Sequence, residues 1–125
     1  MDEKASAPVF LHFADDLMWT SRVAATGQGH GIAVKTARTL DRLEALTREH
    51  SPRCVILDLG LAGASATDAV TRVRAASPTP VRIVGYGSHV DVATLQAARA
   101  AGCDPALPRS QMASELERLM EEWKS

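Results

Sequence analysis

The apolar residues of this chain fall into two rhythms that take turns from one end to the other. PVFLHFA (8–14) reads as a strand, and DDLMWTSRVAAT (15–26), with Trp19 and Val23 four apart, reads as a helix. The glycine-rich GQGHG (27–31) breaks the pattern before IAVKTA (32–37), whose alternation suits a half-buried strand. TLDRLEALTREH (39–50) sets Leu40, Leu43 and Leu46 on one helical stripe behind Thr39 as N-cap. After the break at Ser51–Pro52, RCVILDL (53–59) is apolar without alternation, which predicts a strand covered on both faces.

The second half repeats the rhythm. A loop of small residues, GLAGAS (60–65), leads to a helix carrying Ala69, Val70 and Val73, which SPTP (77–80) ends. VRIVGY (81–86) is a further strand, and HVDVATLQAARAAG (89–102) a helix closed by Gly102. CDPALPR (103–109) supplies only a short strand, because Pro105 and Pro108 each remove a ladder donor. The last helix starts behind Ser110 as N-cap and aligns Met112, Leu116, Leu119, Met120 and Trp123 into one core-facing stripe. Five strand–helix pairs in succession predict an α/β domain: a parallel sheet with helices on both faces, spanning 8–125 behind a flexible tail at 1–7.

Composition narrows the function more than the fold. A net charge of −1 offers no electrostatic reason to expect nucleic acid or an anionic membrane as partner. No stretch approaches the roughly 20 apolar residues of a membrane span, and the polar start MDEKASAP does not resemble a signal peptide, so a cytoplasmic protein is expected. Cys54 and Cys103 match no metal or redox spacing and read as small buried thiols. His12 reads as a core histidine, while His30, His50 and His89 form no ligand set. Neither GQGHG nor GYGSH completes a dinucleotide-binding glycine pattern.

The acids carry the chemistry. Sites on an open parallel sheet form at the carboxyl ends of the strands, near the point where strand order reverses. Asp15 and Asp16 follow the first strand and Asp58 ends the third. If those strands are neighbours, as in the flavodoxin-like order, three carboxylates share one pocket. A hard dication such as Mg²⁺ would offset their repulsion. For Asp15 and Asp16 helix capping is an equally natural use.

The acidic pair, VILDL (55–59), AAGCD (100–104) and the order of elements together resemble the receiver domains of two-component response regulators, over nearly the whole chain. The resemblance implies a five-stranded flavodoxin-like domain in which Asp58 accepts a phosphoryl group. It implies Mg²⁺ held by Asp16 and Asp58, by Asp15 through water, and by the carbonyl of Gly60. It further implies a histidine kinase or histidine phosphotransfer protein as donor, and a downstream protein effector reached through surface contacts. The role is signalling rather than metabolic catalysis.

Several positions depart from that pattern. The hydroxyl residue at the end of the fourth strand falls on Gly87, with Ser88 one residue along as a substitute. Arg109 stands in place of the lysine, Ser110 in place of the proline after it, and Ala106 in place of the aromatic switch residue. Arginine keeps the charge but is larger and planar. These departures leave a second expectation open, a degenerate receiver that only binds proteins. A phosphohydrolase of the haloacid-dehalogenase type is disfavoured, since it needs an acid where Gly60 stands.

Overall fold

The computed structural model describes residues 7–62 and 66–125. Most of the tail expected at 1–7, and the end of the GLAGAS loop, lie outside the described residues. In chain order the elements are β1 (Val9–Phe13), α1 (Leu17–Gly29), β2 (Ala33–Ala37), α2 (Leu40–His50), β3 (Cys54–Asp58), α3 (Leu59–Ala62), α4 (Ala66–Ala76), β4 (Arg82–Gly87), α5 (Val92–Ala101), β5 (Ala106–Pro108), α6 (Arg109–Ser114) and α7 (Leu116–Trp123). The five strands form one parallel sheet in the order β2-β1-β3-β4-β5, the flavodoxin-like order.

Strand parity divides the interior into two layers. Leu11, Phe13, Val55, Leu57 and Ile83 face α2, α4 and α5, and Ala106 packs with them. Phe10, Ile56, Val84 and Tyr86 face α1, α6 and α7, where Trp19, Val23, Met112, Leu116, Met120 and Trp123 fill the space. β3 is buried along its whole length, as expected of a strand covered on both faces. The apolar stripe on the last helical segment is buried throughout, and Cys54 and Cys103 are free thiols in the core.

Local capping follows sequence in most places. Thr39 caps α2 by accepting the Arg42 N–H at 3.1 Å, and Gly102 ends α5 in the left-handed region at φ 119°. Three expectations are corrected. GQGHG does not break the chain at Gly27, because α1 runs to Gly29. A Cβ on Gly27 would stand 2.5 Å from Val34 Cγ2, so the missing side chain serves a close approach of helix to strand. Leu59–Ala62 forms a helical turn instead of opening a loop. The C-terminal helix is two helices separated at Glu115, and the residue before it is Pro108, with no side-chain cap from Ser110. Pro108 is a sound helix start because its missing N–H belongs to a turn that lacks acceptors anyway.

Candidate functional site

β1 and β3 are adjacent and parallel, so the carboxyl end of β3 lies at the strand-order reversal where the acids were expected. Asp58 is the last residue of β3 and is 5% exposed. A carboxylate buried to this degree needs hydrogen bonds or a countercharge, and Asp58 has both. Its Oδ1 accepts the Gly60 N–H at 2.9 Å and, more weakly, the Leu61 N–H at 3.4 Å. Its Oδ2 accepts from Arg109 Nη2 at 3.2 Å. Arg109 therefore faces the site, at the position that sequence comparison with receivers gave to a lysine.

Gly60 and Arg109, which hold Asp58 from two sides, also line a cavity of about 560 Å³ together with Gly87, Ser88, His89, Ser110 and Ala113. Ser88 is exposed, and its Oγ accepts the Val90 N–H at 3.3 Å, the bond of a turn. A Cβ on Gly87 would meet Leu59 Cβ at 3.4 Å, an ordinary contact, so the backbone here accepts a first side-chain carbon.

The acidic pair behaves differently from Asp58. Asp16 caps α1, its Oδ1 accepting the Trp19 N–H at 3.1 Å, and both Asp15 and Asp16 are exposed. Among the described residues no three His, Cys, Asp or Glu side chains are grouped closely enough to hold a metal ion. The convergence of all three carboxylates expected from the strand order is thus not what the structure presents. The donor chemistry nonetheless suits Mg²⁺, which commonly uses one or two carboxylates plus water. Asp58 and Asp16 both lie near enough to the Tyr86 hydroxyl to push its pKa upward, in addition to the larger effect of burial.

Sequence reasoning missed what lies beneath Asp58. Tyr86 is fully buried on β4, and the guanidinium of Arg109 sits over its ring, 5.0 Å from the centroid. Trp19 Nε1 donates to the Tyr86 hydroxyl at 2.8 Å, and His12 Nε2 lies 2.8 Å from the same oxygen. His12 is a core histidine as expected, with its pKa pushed down to about 4 by burial first and by Arg109 second. Its Nδ1 has no partner. Tyr86 is the only tyrosine of the chain, and it directly precedes Gly87. Those two facts were the available signals.

Exposed apolar side chains rim this end of the sheet. Leu17 and Met18 open α1, Met18 being 85% exposed, and Val90 and Val92 stand where β4 leads into α5. No helix among the described residues is long and apolar enough to cross a membrane.

No family model matches the sequence, and no curated protein does. Solved structures do match. A response regulator from Thermotoga maritima superimposes with a TM-score of 0.80 at 14% identity, over 94% of this chain and 98% of that one. A Saccharomyces cerevisiae response-regulator receiver domain, crystallised with the histidine phosphotransfer protein upstream of it, gives 0.77 at 19% identity over 94% and 89%. A Burkholderia pseudomallei response regulator holding a phosphorylated aspartic acid, a calcium ion and citrate gives 0.72 at 21% identity over 92% and 69%.

Proposed function

From a chain with the fold of response-regulator receiver domains, we propose a signalling domain that accepts a phosphoryl group on Asp58 and passes the signal on by protein contact. One observation carries the reading. A buried carboxylate stands at the carboxyl end of a central strand, held by a backbone N–H and a guanidinium that both line a cavity. Chemically, an Asp58 oxygen attacks the phosphorus of a phosphohistidine. The new O–P bond forms as the N–P bond breaks, and the histidine nitrogen keeps the electron pair. The charge that spreads over the transferring oxygens is met by Arg109 and by the Gly60 N–H. Bound at this end of the sheet, Mg²⁺ would supply further neutralisation of those oxygens, and Asp58, Asp16, Asp15 and the Gly60 carbonyl would be the groups to hold it. Ser88 is near enough to the cavity to offer a hydroxyl once its turn bond to Val90 is given up.

The donor is a histidine kinase or histidine phosphotransfer protein, for which the exposed apolar side chains Leu17 and Met18 after β1, and Val90 and Val92 after β4, offer contact surface at this end of the sheet. A protein effector receives the output. A second reading has its own support: Arg109 already neutralises Asp58, and both Gly87 and Ala106 lack the side chains of the usual switch. In that reading the domain binds proteins without being phosphorylated. Incubation with acetyl phosphate and Mg²⁺ separates the two. Wild-type protein is expected to gain the mass of one phosphoryl group and Asp58→Asn none; an unchanged wild-type mass leaves only the second reading.

A further inference from the structure

A receiver is useful only if the state of its aspartate reaches a distant surface. Parity shows which face of this sheet is equipped to carry it. Gly87 and Ala106 belong to the face covered by α2, α4 and α5, and the described residues of β4 and β5 that reach the end of the sheet there, Gly85, Gly87, Ala106 and Pro108, include no polar side chain to move. Tyr86 belongs to the other face and is surrounded by polar and aromatic partners.

We infer that the state of Asp58 is carried to α1 through Arg109 and Tyr86, with Tyr86 the residue that positions the guanidinium. The inference deepens the reading above and rests on it, since the route has a use only when the charge on Asp58 changes. The contacts are continuous. Arg109 binds Asp58 at 3.2 Å and stacks over Tyr86 at 5.0 Å. The Tyr86 hydroxyl receives the Trp19 indole N–H at 2.8 Å, and the two rings meet edge-on at 5.8 Å. Trp19 lies in the first turn of α1, where its own backbone N–H is held by the capping Asp16. Arg22 covers the Trp19 ring at 5.5 Å and donates to the Ala113 carbonyl at 2.8 Å, which joins α1 to α6.

The cluster of Tyr86, His12 and Trp19 has a built-in alternative. A hydroxyl has one proton and a neutral imidazole one N–H. If Tyr86 donates to His12 Nε2, the ring proton sits on Nδ1, which has no acceptor; if Nε2 donates, the Tyr86 proton has none. At least one buried polar group is short of a partner either way, Nδ1 in both arrangements and the Tyr86 proton as well in the second, so the network has no fully satisfied state. A phosphoryl group on Asp58 brings more negative charge and new acceptor oxygens. These draw the guanidinium away from the ring and release Tyr86 and Trp19 to repartner.

The test needs no phosphorylation, so it is judged apart from the proposed function. Asp58→Asn removes the countercharge that holds Arg109, and the Trp19 indole N–H is followed in amide correlation spectra of the full chain. The expected result is a clear shift of that resonance, with changes along α1 and α6. The same Asp58→Asn change in an Arg109→Ala background is expected to leave the indole resonance where Arg109→Ala alone puts it. Arg109 is half exposed, so its removal spares the core. A shift that persists without Arg109, or changes concentrated on Leu95, Ala98 and Ala106, overturns the inference.

Discussion

Gly87 lines the cavity beside Asp58, at the position where receivers carry a hydroxyl, and a Cβ there makes only ordinary contacts with Leu59 and Leu95. Gly87→Thr is therefore expected to be tolerated by the fold, since a β-branched residue suits a strand. A hydrogen bond to a charged group contributes about 1.5–3 kcal/mol, so the initial rate of phosphorylation by acetyl phosphate is expected to rise by about ten- to a hundredfold. An unchanged rate, followed by intact mass, means that the hydroxyl at 87 does not reach the transferring group. At this scale the sequence was legible where chemistry is unusual for its position. Asp58 ends an apolar strand and Arg109 replaces a lysine, so both were singled out, and the structure brings them together. Tyr86 was not, because an aromatic residue in a buried strand fits the pattern without any further role. Only the arrival of Arg109, Trp19 and His12 from three other elements gives it one.

Helix α1 links the site to the far end of the domain, and its two last glycines make opposite demands. Gly27→Ala forces a Cβ against Val34 Cγ2 and is expected to destabilise by about 1–3 kcal/mol, as overpacking does. A Cβ on Gly29 meets nothing within 4 Å, so Gly29→Ala is expected to stabilise by up to about 1 kcal/mol through helix propensity. Urea unfolding of both variants checks this; equal effects would mean that α1 and β2 are less closely packed than described. Sequence misread this stretch because glycine signals both chain breaks and close packing, and composition does not say which. Likewise, the 112–123 stripe marked the correct buried face, yet apolar spacing continues smoothly across Glu115, where the backbone does not.

At the scale of the molecule the alternation of strands and helices was the strongest signal, since right-handed crossovers leave few ways to arrange five such pairs. Strand order then placed Asp58 at the carboxyl end of a central strand beside β1, while the sequence left open that Asp16 caps α1. Two histidines contribute to the pH dependence of the fold with opposite signs. His12 is held neutral down to about 4, against an ordinary 6.5. Between those values the unfolded chain binds the extra proton, so stability falls as pH falls, by about 3 kcal/mol at most. His30 bridges Glu117 at 2.6 Å and Glu121 at 2.7 Å, with Lys124 also on Glu121, and these partners raise its pKa. Its contribution is present below 6.5 and is lost as pH rises through the raised value. Denaturation series are expected to peak near neutrality, with His12→Leu flattening the acid limb and His30→Gln the other; an acid limb unchanged in His12→Leu would contradict the assignment. The central claim, that Asp58 is the phosphoacceptor, is tested most directly by treating the acetyl-phosphate product with borohydride, which reduces an acyl phosphate to an alcohol. Peptide sequencing is predicted to find homoserine at position 58 of the wild-type chain. Unreduced aspartate at 58, or reduction at another acid, would contradict the account.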